Sequence, residues 1–394
     1  MIELIILAVL LVSLLILLLV EVVLGVSWFA RKRKKAKTSK QLLRLKRNSL
    51  LLLILIVLTG GFMIFSQITA STPPIKDELG NSVEGSIAEL RQVNLNGREE
   101  WISIRGHSSE NPVLLFLAGG PGGTQMAAVR HDLSELEKHF VVVVWDQPGS
   151  GKSYGAGNGN LTVDTYIEDG YALTKYLCEQ FQQEKIYLVG ESWGSALGIF
   201  LAGEYPDSYH AMIGTGQMID FLETENMDYD KALEIAQAQG DTDKIAKLEA
   251  NGRPPYYGSD VTWKSAEYLN YLGTYMGHNP EIHNGGYNTF RDIFSPEYGV
   301  IDKINFLRGI VTTFNHVYPQ LYGIDLRTEY PKLEVPVYFF LGRHDINAPA
   351  SLVEDYLAIL DAPHKEIIWF EHSGHSPWIN ESEKFVTEII SIIK

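Results

Sequence analysis

Between residues 4 and 20 the chain is apolar apart from Ser13, and beyond Glu21 the apolar character resumes as far as Phe29. About 20 helical residues cross a hydrocarbon core, so this pattern predicts a spanning helix over about 4–29. A second stretch, 48–75, carries no charge, and its segment 50–65 is almost wholly apolar, predicting another span over about 49–68. After a polar linker, 71–91, short apolar runs alternate with helical periodicity. Runs 113–117, 140–145, 185–189 and 209–213 have the continuous apolar character of buried parallel strands. Helices are predicted over 162–181, after the turn-rich stretch 155–160, and over 195–204. The rhythm stops across 220–330, then returns with strands over 335–341 and 366–370 and a closing amphipathic helix over 381–393. The expected architecture is an α/β core, 92–219 and 331–394, in which a mostly parallel sheet is flanked by helices and interrupted by a helical cap, 220–330.

Charge sharpens the division. Residues 1–48 hold ten basic residues against Glu3 and Glu21, about +8, so the remainder of the chain carries about −23 of the net −15. The bases cluster in the predicted loop 30–47, between the two spans, and the positive-inside rule keeps such a loop cytoplasmic. That orientation places the N-terminus and everything after about Gln67 outside the cytoplasm, giving a two-span protein of the cell membrane with an extracytoplasmic body. A signal peptide would open with bases, which the first twenty residues lack; cleavage near Ala70 would put Ile68 at the −3 position, a poor fit to a signal peptidase. Glu21 is an expensive residue inside a bilayer and is given no functional role. An acidic body lacks the basic footprint of nucleic-acid binding. The lone Cys178 can form neither an internal disulfide nor a Cys-based zinc site, and no cofactor or metal is expected. The run Gly149-Ser150-Gly151-Lys152-Ser153 ends like a phosphate-binding loop, but Asp146 stands where that motif needs its first glycine, so no nucleotide is expected.

The chemistry centres on Gly190-Glu191-Ser192-Trp193-Gly194, between a predicted strand and a predicted helix. A serine on such a sharp turn projects its hydroxyl above the sheet as a nucleophile, although a serine can also occupy a turn for structural reasons. A serine hydroxyl needs a base, and the base needs an orienting acid. Asp345, after the strand 335–341, and His375, after the strand 366–370, stand in the chain order this architecture requires. His372 competes for the base; Asp355, Asp361 and Asp146 compete for the acid. Donors for a developing oxyanion are expected from the backbone of Trp193, at a helix N-terminus, and of Gly120 in the glycine-rich loop after residue 117, with Gly119 as the alternative.

These motifs together resemble the α/β-hydrolase superfamily and, within it, the prolyl iminopeptidase family. The resemblance rests on Ala118-Gly119-Gly120-Pro121-Gly122-Gly123, Asp146-Gln147-Pro148-Gly149, the Ser192 pentapeptide, Gly342-Arg343-His344-Asp345 and Gly374-His375-Ser376. It covers about residues 92–394 and not the two spans. Ala118 departs from the family's usual histidine, and Glu191 from its frequent glycine. The Gly-Glu-Ser elbow also invites comparison with serine carboxypeptidases, which are usually disulfide-bonded, unlike this chain. The resemblance implies that acids of the cap hold the substrate's free amino group, a part open to Glu223 and Glu225, with Glu191 as a third substrate-binding position. The expectation is a membrane-anchored serine hydrolase working through an acyl-enzyme and releasing an N-terminal residue from short peptides. Carboxylester or lipid-ester hydrolysis is the alternative enzyme reading. A membrane-anchored binding module without turnover is the alternative of another class.

Overall fold

The structure, a computed structural model, describes residues 2–157 and 160–393; residues 158 and 159 of the turn-rich 155–160 stretch lie outside the described residues, as do both terminal residues. The chain divides into two compact units. One runs to Ala70 and includes Tyr298–Lys303; the other comprises Ser71–Glu297 and Ile304 onward.

The first unit is built on two helices, Ile2–Arg33 and Ser39–Thr69, both long and apolar enough to cross a membrane. The second begins ten residues before the expected 49, because Lys40, Arg44, Lys46 and Arg47 are good helix formers and extend it into the basic segment. Glu21 finds its partners across this hairpin. Its carboxylate accepts from Asn48 Nδ2 at 2.5 Å and Ser49 Oγ at 2.6 Å, while Asn48 also donates to the Leu17 carbonyl at 3.1 Å. On an apolar helix, a carboxylate held by two hydrogen bonds is far less costly than an unpartnered one.

In the second unit eight strands form one sheet: β1 Ile87–Leu95, β2 Arg98–Gly106, β3 Val113–Leu117, β4 Val141–Asp146, β5 Ile186–Glu191, β6 Tyr209–Thr215, β7 Val337–Gly342 and β8 Lys365–Phe370. Their order is β1-β2-β4-β3-β5-β6-β7-β8. From β4 through β8 every pairing is parallel, whereas β1 and β2 are antiparallel to their neighbours. All five residues of β3 and all six of β4 are buried, as strands covered on both faces must be. The β1–β2 hairpin occupies part of the expected linker. Charged and polar residues break up any continuous apolar run in either strand, but Asn96 and Gly97, both with positive φ, make the two-residue turn that such a hairpin requires.

Helix Val163–Phe181 starts with a capping box, the Thr162 hydroxyl accepting from the Thr165 N–H. Helix Trp193–Glu204 is buried from Trp193 through Ala202, packed between the sheet and its neighbours. Between β6 and β7 the chain leaves the sheet for helices Phe221–Gln239, Thr242–Asn251, Val261–Gly277, Thr289–Ile293 and Leu326–Glu329, and for the part of Val300–Val317 from Ile304 onward. This insertion carries its own small apolar cluster, including Tyr229, Tyr256, Tyr268 and Leu272.

Candidate active site

Loops at the carboxyl ends of parallel strands collect the chemistry, where α/β sheets place their ligands. The ends of β3 and β5 lie side by side, Leu117 opposite Gly190, so the segment after Leu117 runs against the turn after Glu191. Ser192 occupies that turn with φ 52° and ψ −122°, a conformation that costs a non-glycine residue of order 1–3 kcal/mol. Its N–H is held by the Thr215 carbonyl at 3.0 Å, and its carbonyl accepts from the Ser195 hydroxyl at 2.5 Å. Close approach explains the flanking glycines. A β-carbon on Gly190 would lie 2.2 Å from the Gly194 carbonyl oxygen, and one on Gly194 would lie 2.1 Å from that of Leu117.

His375 and Asp345 come together from the loops after β8 and β7. Nδ1 of His375 lies 3.0 Å from Asp345 Oδ2, while Asp345 Oδ1 accepts from the N–H groups of Asn347 and Ala348 at 2.8 and 3.0 Å. His372 is elsewhere: it is exposed and stacked on His283 at 4.1 Å. Asp355 and Asp361 are exposed, and Asp146 is buried, accepting from the Thr124 hydroxyl and from the Lys152 N–H at 2.8 Å. Burial pulls the His375 pKa down, but the charge of Asp345, its hydrogen bond and the charge of Glu191 outweigh that, and the net shift is upward.

Ser192 and His375 line one cavity of about 350 Å3 together with Glu191, Gly119 and Gly120. A β-carbon on Gly119 would sit 3.3 Å from that of Ser192, so the glycine loop lies directly against the serine. Trp193 is the first residue of its helix, where the backbone N–H has no intrahelical partner. Gln147 ties the parts together, donating to the Ala118 carbonyl at 3.0 Å and accepting from the Trp193 indole at 2.9 Å. The far wall comes from the cap through Phe306, Ile310 and Phe314. On the same helix Gly309 lets the cap settle on the core loops, since a β-carbon there would lie 2.6 Å from the Gly122 carbonyl oxygen and 2.8 Å from that of Gly149.

Glu191, expected as a substrate contact, is 2% exposed, and both of its oxygens are engaged. Oε1 accepts from Ser376 Oγ at 2.6 Å and Trp378 Nε1 at 2.8 Å; Oε2 accepts from Gln125 Nε2 and the Tyr287 hydroxyl. Tyr287 exposes its ring while its hydroxyl is packed inside, where burial and the Glu191 charge push its pKa far up.

The cap acids separate. Glu223 is not among the cavity's lining; its half-exposed carboxylate pairs with Arg327 at 2.6 Å, so the expectation that it meets the substrate gives way to a surface ion pair. Glu225 is buried and accepts from the hydroxyls of Tyr318, at 2.5 Å, and Tyr268. Burial raises its pKa to about 7 against the lowering effect of its hydrogen bonds. One helical turn on, Asp228 was not singled out from the sequence, although its i+3 spacing from Glu225 puts both on one helix face. It is 1% exposed, and neither carboxylate oxygen has a hydrogen-bond partner among the described residues. Burial, then the charges of Glu225 and Asp345, push its pKa well up. Phe314 of the cavity wall stacks on Tyr318 at 4.1 Å, so one aromatic layer separates Glu225 from the cavity.

A strained serine, a carboxylate-backed histidine and a glycine loop around one cavity form an arrangement suited to hydrolytic chemistry. Residues 112–253 match the family described as the alpha/beta hydrolase fold. Over 316 residues the chain is 32% identical to a probable aminopeptidase of Bacillus subtilis, covering 77% of this chain and 96% of that protein. It is 26% identical over 302 residues to a proline iminopeptidase of Clostridioides difficile, covering 74% and 92%. A crystal structure of a proline iminopeptidase from Mycobacterium smegmatis superposes with a TM-score of 0.54 over 77% of this chain and 96% of that one, at 17% identity, a likeness of fold. The chain therefore belongs to the α/β-hydrolase family and is a hydrolase. Within that family it is similar to the proline iminopeptidases and to the probable aminopeptidase.

The His375 shift has a measurable sign. Because the folded pKa lies above the ordinary histidine value of about 6.5, protonation stabilises the fold below that value, and the contribution is lost as pH rises through the folded pKa. In a histidine NMR titration His375 is expected to titrate above its unfolded value, and Glu191→Gln is expected to lower its midpoint. A midpoint unmoved by the substitution would remove Glu191 from the balance.

Proposed function

We propose that the chain is a membrane-anchored serine aminopeptidase that releases the N-terminal residue of short peptides through an acyl-enzyme. The observation that carries the catalytic part is the 3.0 Å pairing of His375 with Asp345 beside the same cavity that Ser192 lines from its strained turn. Ser192 Oγ attacks the carbonyl carbon as His375 takes its proton, and Asp345 fixes the imidazole tautomer and favours the cation that forms. The backbone N–H groups of Trp193 and Gly120 receive the developing oxyanion, each worth roughly 10²–10³ in rate. Collapse leaves the acyl group on Ser192, and water activated by the neutral imidazole then releases it. Fluorophosphonate is expected to label the wild type and spare Ser192→Ala, whose kcat should fall by about 10⁶; equal labelling of both would sink the nucleophile assignment.

Amino-group recognition falls to Glu225 and Asp228 rather than Glu223, and because neither acid lines the cavity it requires Phe314 to move off Tyr318 as the substrate enters. Burial raises the pKa of both acids, and an ammonium brought beside them favours their ionised form and forms a charge-assisted bond. The two oxygens of Asp228 are unsatisfied acceptor sites of this kind. Glu225→Gln and Asp228→Asn are expected to raise KM for free-amine substrates about tenfold and to leave N-acylated analogues unaffected. Equal changes on both substrate types would dismiss this role.

The apolar wall of Phe306, Ile310 and Phe314 favours a second reading, hydrolysis of acyl esters. A panel pairing aminoacyl amides with acyl esters separates the two, and turnover of esters alone would remove the peptidase. Anchoring rests on the helices Ile2–Arg33 and Ser39–Thr69 and the basic segment joining them. In a Cys178→Ser background, single cysteines within 34–38 should resist impermeant thiol reagents added to intact cells, whereas cysteines on the body should react; the reverse pattern would overturn the orientation.

A further inference from the structure

His375 borders two cavities. The first holds Ser192; the second, about 300 Å3, lies between helix Val261–Gly277, the segment 282–287 and the loop carrying His375, and shares only Tyr287 and His375 with the first. We infer that this second cavity receives the leaving part of the substrate, the peptide chain beyond the released residue. The inference rests on the peptidase reading above and adds the class of substrate to it.

Proton bookkeeping places the leaving group there. When the tetrahedral adduct collapses, the C–N bond breaks, its electron pair goes to nitrogen, and the proton that His375 took from Ser192 passes to that nitrogen. The peptide departs as a free amine and the acyl group stays on Ser192 Oγ. The departing nitrogen must therefore lie against the imidazole. The chain attached to it needs space on the histidine side that the acyl group does not fill, and the second cavity provides that space.

Its lining is suited to a neutral peptide. Apart from His375 none of the lining side chains is ionisable at neutral pH, so the cavity has no cation for a terminal carboxylate. Asn380 and Asn284 are already committed: Asn380 donates to the carbonyls of His283 and Asn284 and accepts from the Gly374 N–H, and Asn284 donates to the Ile379 and Asn380 carbonyls. Asn347 is different. Its Oδ1 is buried and has no hydrogen-bond partner among the described residues, so turning the side chain toward the cavity would offer an acceptor to a peptide N–H without breaking an existing bond. Leu269, Met276 and Ile282 offer an apolar surface to the next side chain. A dipeptide would bring its carboxylate into this uncharged space at a desolvation cost. The favoured substrates are tripeptides and longer, or amidated dipeptides.

Gly273 makes the test clean. It lies inside helix Val261–Gly277, borders the cavity, and a β-carbon there meets nothing within 4 Å, so leucine fills space without a backbone clash and replaces a poor helix former. The full chain in detergent micelles is assayed on an aminoacyl amide, whose leaving group is ammonia, and on a tripeptide with the same first residue. Gly273→Leu is expected to lower the tripeptide-to-amide ratio of kcat/KM at least tenfold, and Asn347→Ala about fivefold. An unchanged ratio in both variants overturns the inference. If the wild type cleaves esters and no aminoacyl substrate, the peptidase reading fails on its own. The cavity is then judged with methyl and long-chain alcohol esters: a fall of that ratio in Gly273→Leu upholds a leaving-group site, and an unchanged ratio overturns it.

Discussion

A carboxylate next to the strained serine organises everything around it. Glu191 ends β5 and precedes Ser192, yet its four donors come from segments far apart in the chain: Gln125 beyond the glycine loop, Tyr287 of the cap, and Ser376 and Trp378 just after His375. Removing any one donor would strand part of a buried carboxylate, at a cost of about 1–3 kcal/mol or more. The elbow, the glycine loop, the cap and the histidine loop are thereby held in one register. The same charge also favours the protonated form of His375, so position and electrostatics have a common source.

The surroundings are rich in acids. Asp345 and Glu191 act on the imidazole, and Asp228 in the cap feels both Glu225 and Asp345. In a space of low polarisability such charges repel one another, and the group with the poorest hydrogen bonding gives up its charge first. Asp228 is that group, having no partner among the described residues while Asp345 has three.

Much of this was legible in the sequence, for identifiable reasons. Strands buried on both faces leave continuous apolar runs, as β3 and β4 do, while β8 is marked by the shorter run Ile367–Phe370 after two exposed charges. The candidate residues Ser192, Asp345 and His375 follow the ends of β5, β7 and β8, so their places in the fold could be read from their order along the chain. The β1–β2 hairpin escaped because charged residues, Glu100 and Arg105 buried among them, interrupt its apolar positions, though Asn96-Gly97 was a usable signal. The second apolar helix reached further back than its apolar residues, since helix propensity does not stop where hydrophobicity does. Partnerships were not legible: that Glu223 meets Arg327, that Glu225 turns inward, and that Asp228 joins it depend on how the cap folds over the sheet, which no local pattern encodes.

Arg327 has a wider consequence. Besides Glu223 it pairs with Asp220 and Asp325, and these two aspartates also form an isolated backbone bridge where the cap begins and ends. The insertion is thus stapled at its base, and the sheet meets it as it would a short loop. Closing a long excursion this way adds little entropy beyond a short one. The cap can therefore be rewritten in length and lining without disturbing strand order, so a lineage can change diet while keeping one catalytic engine.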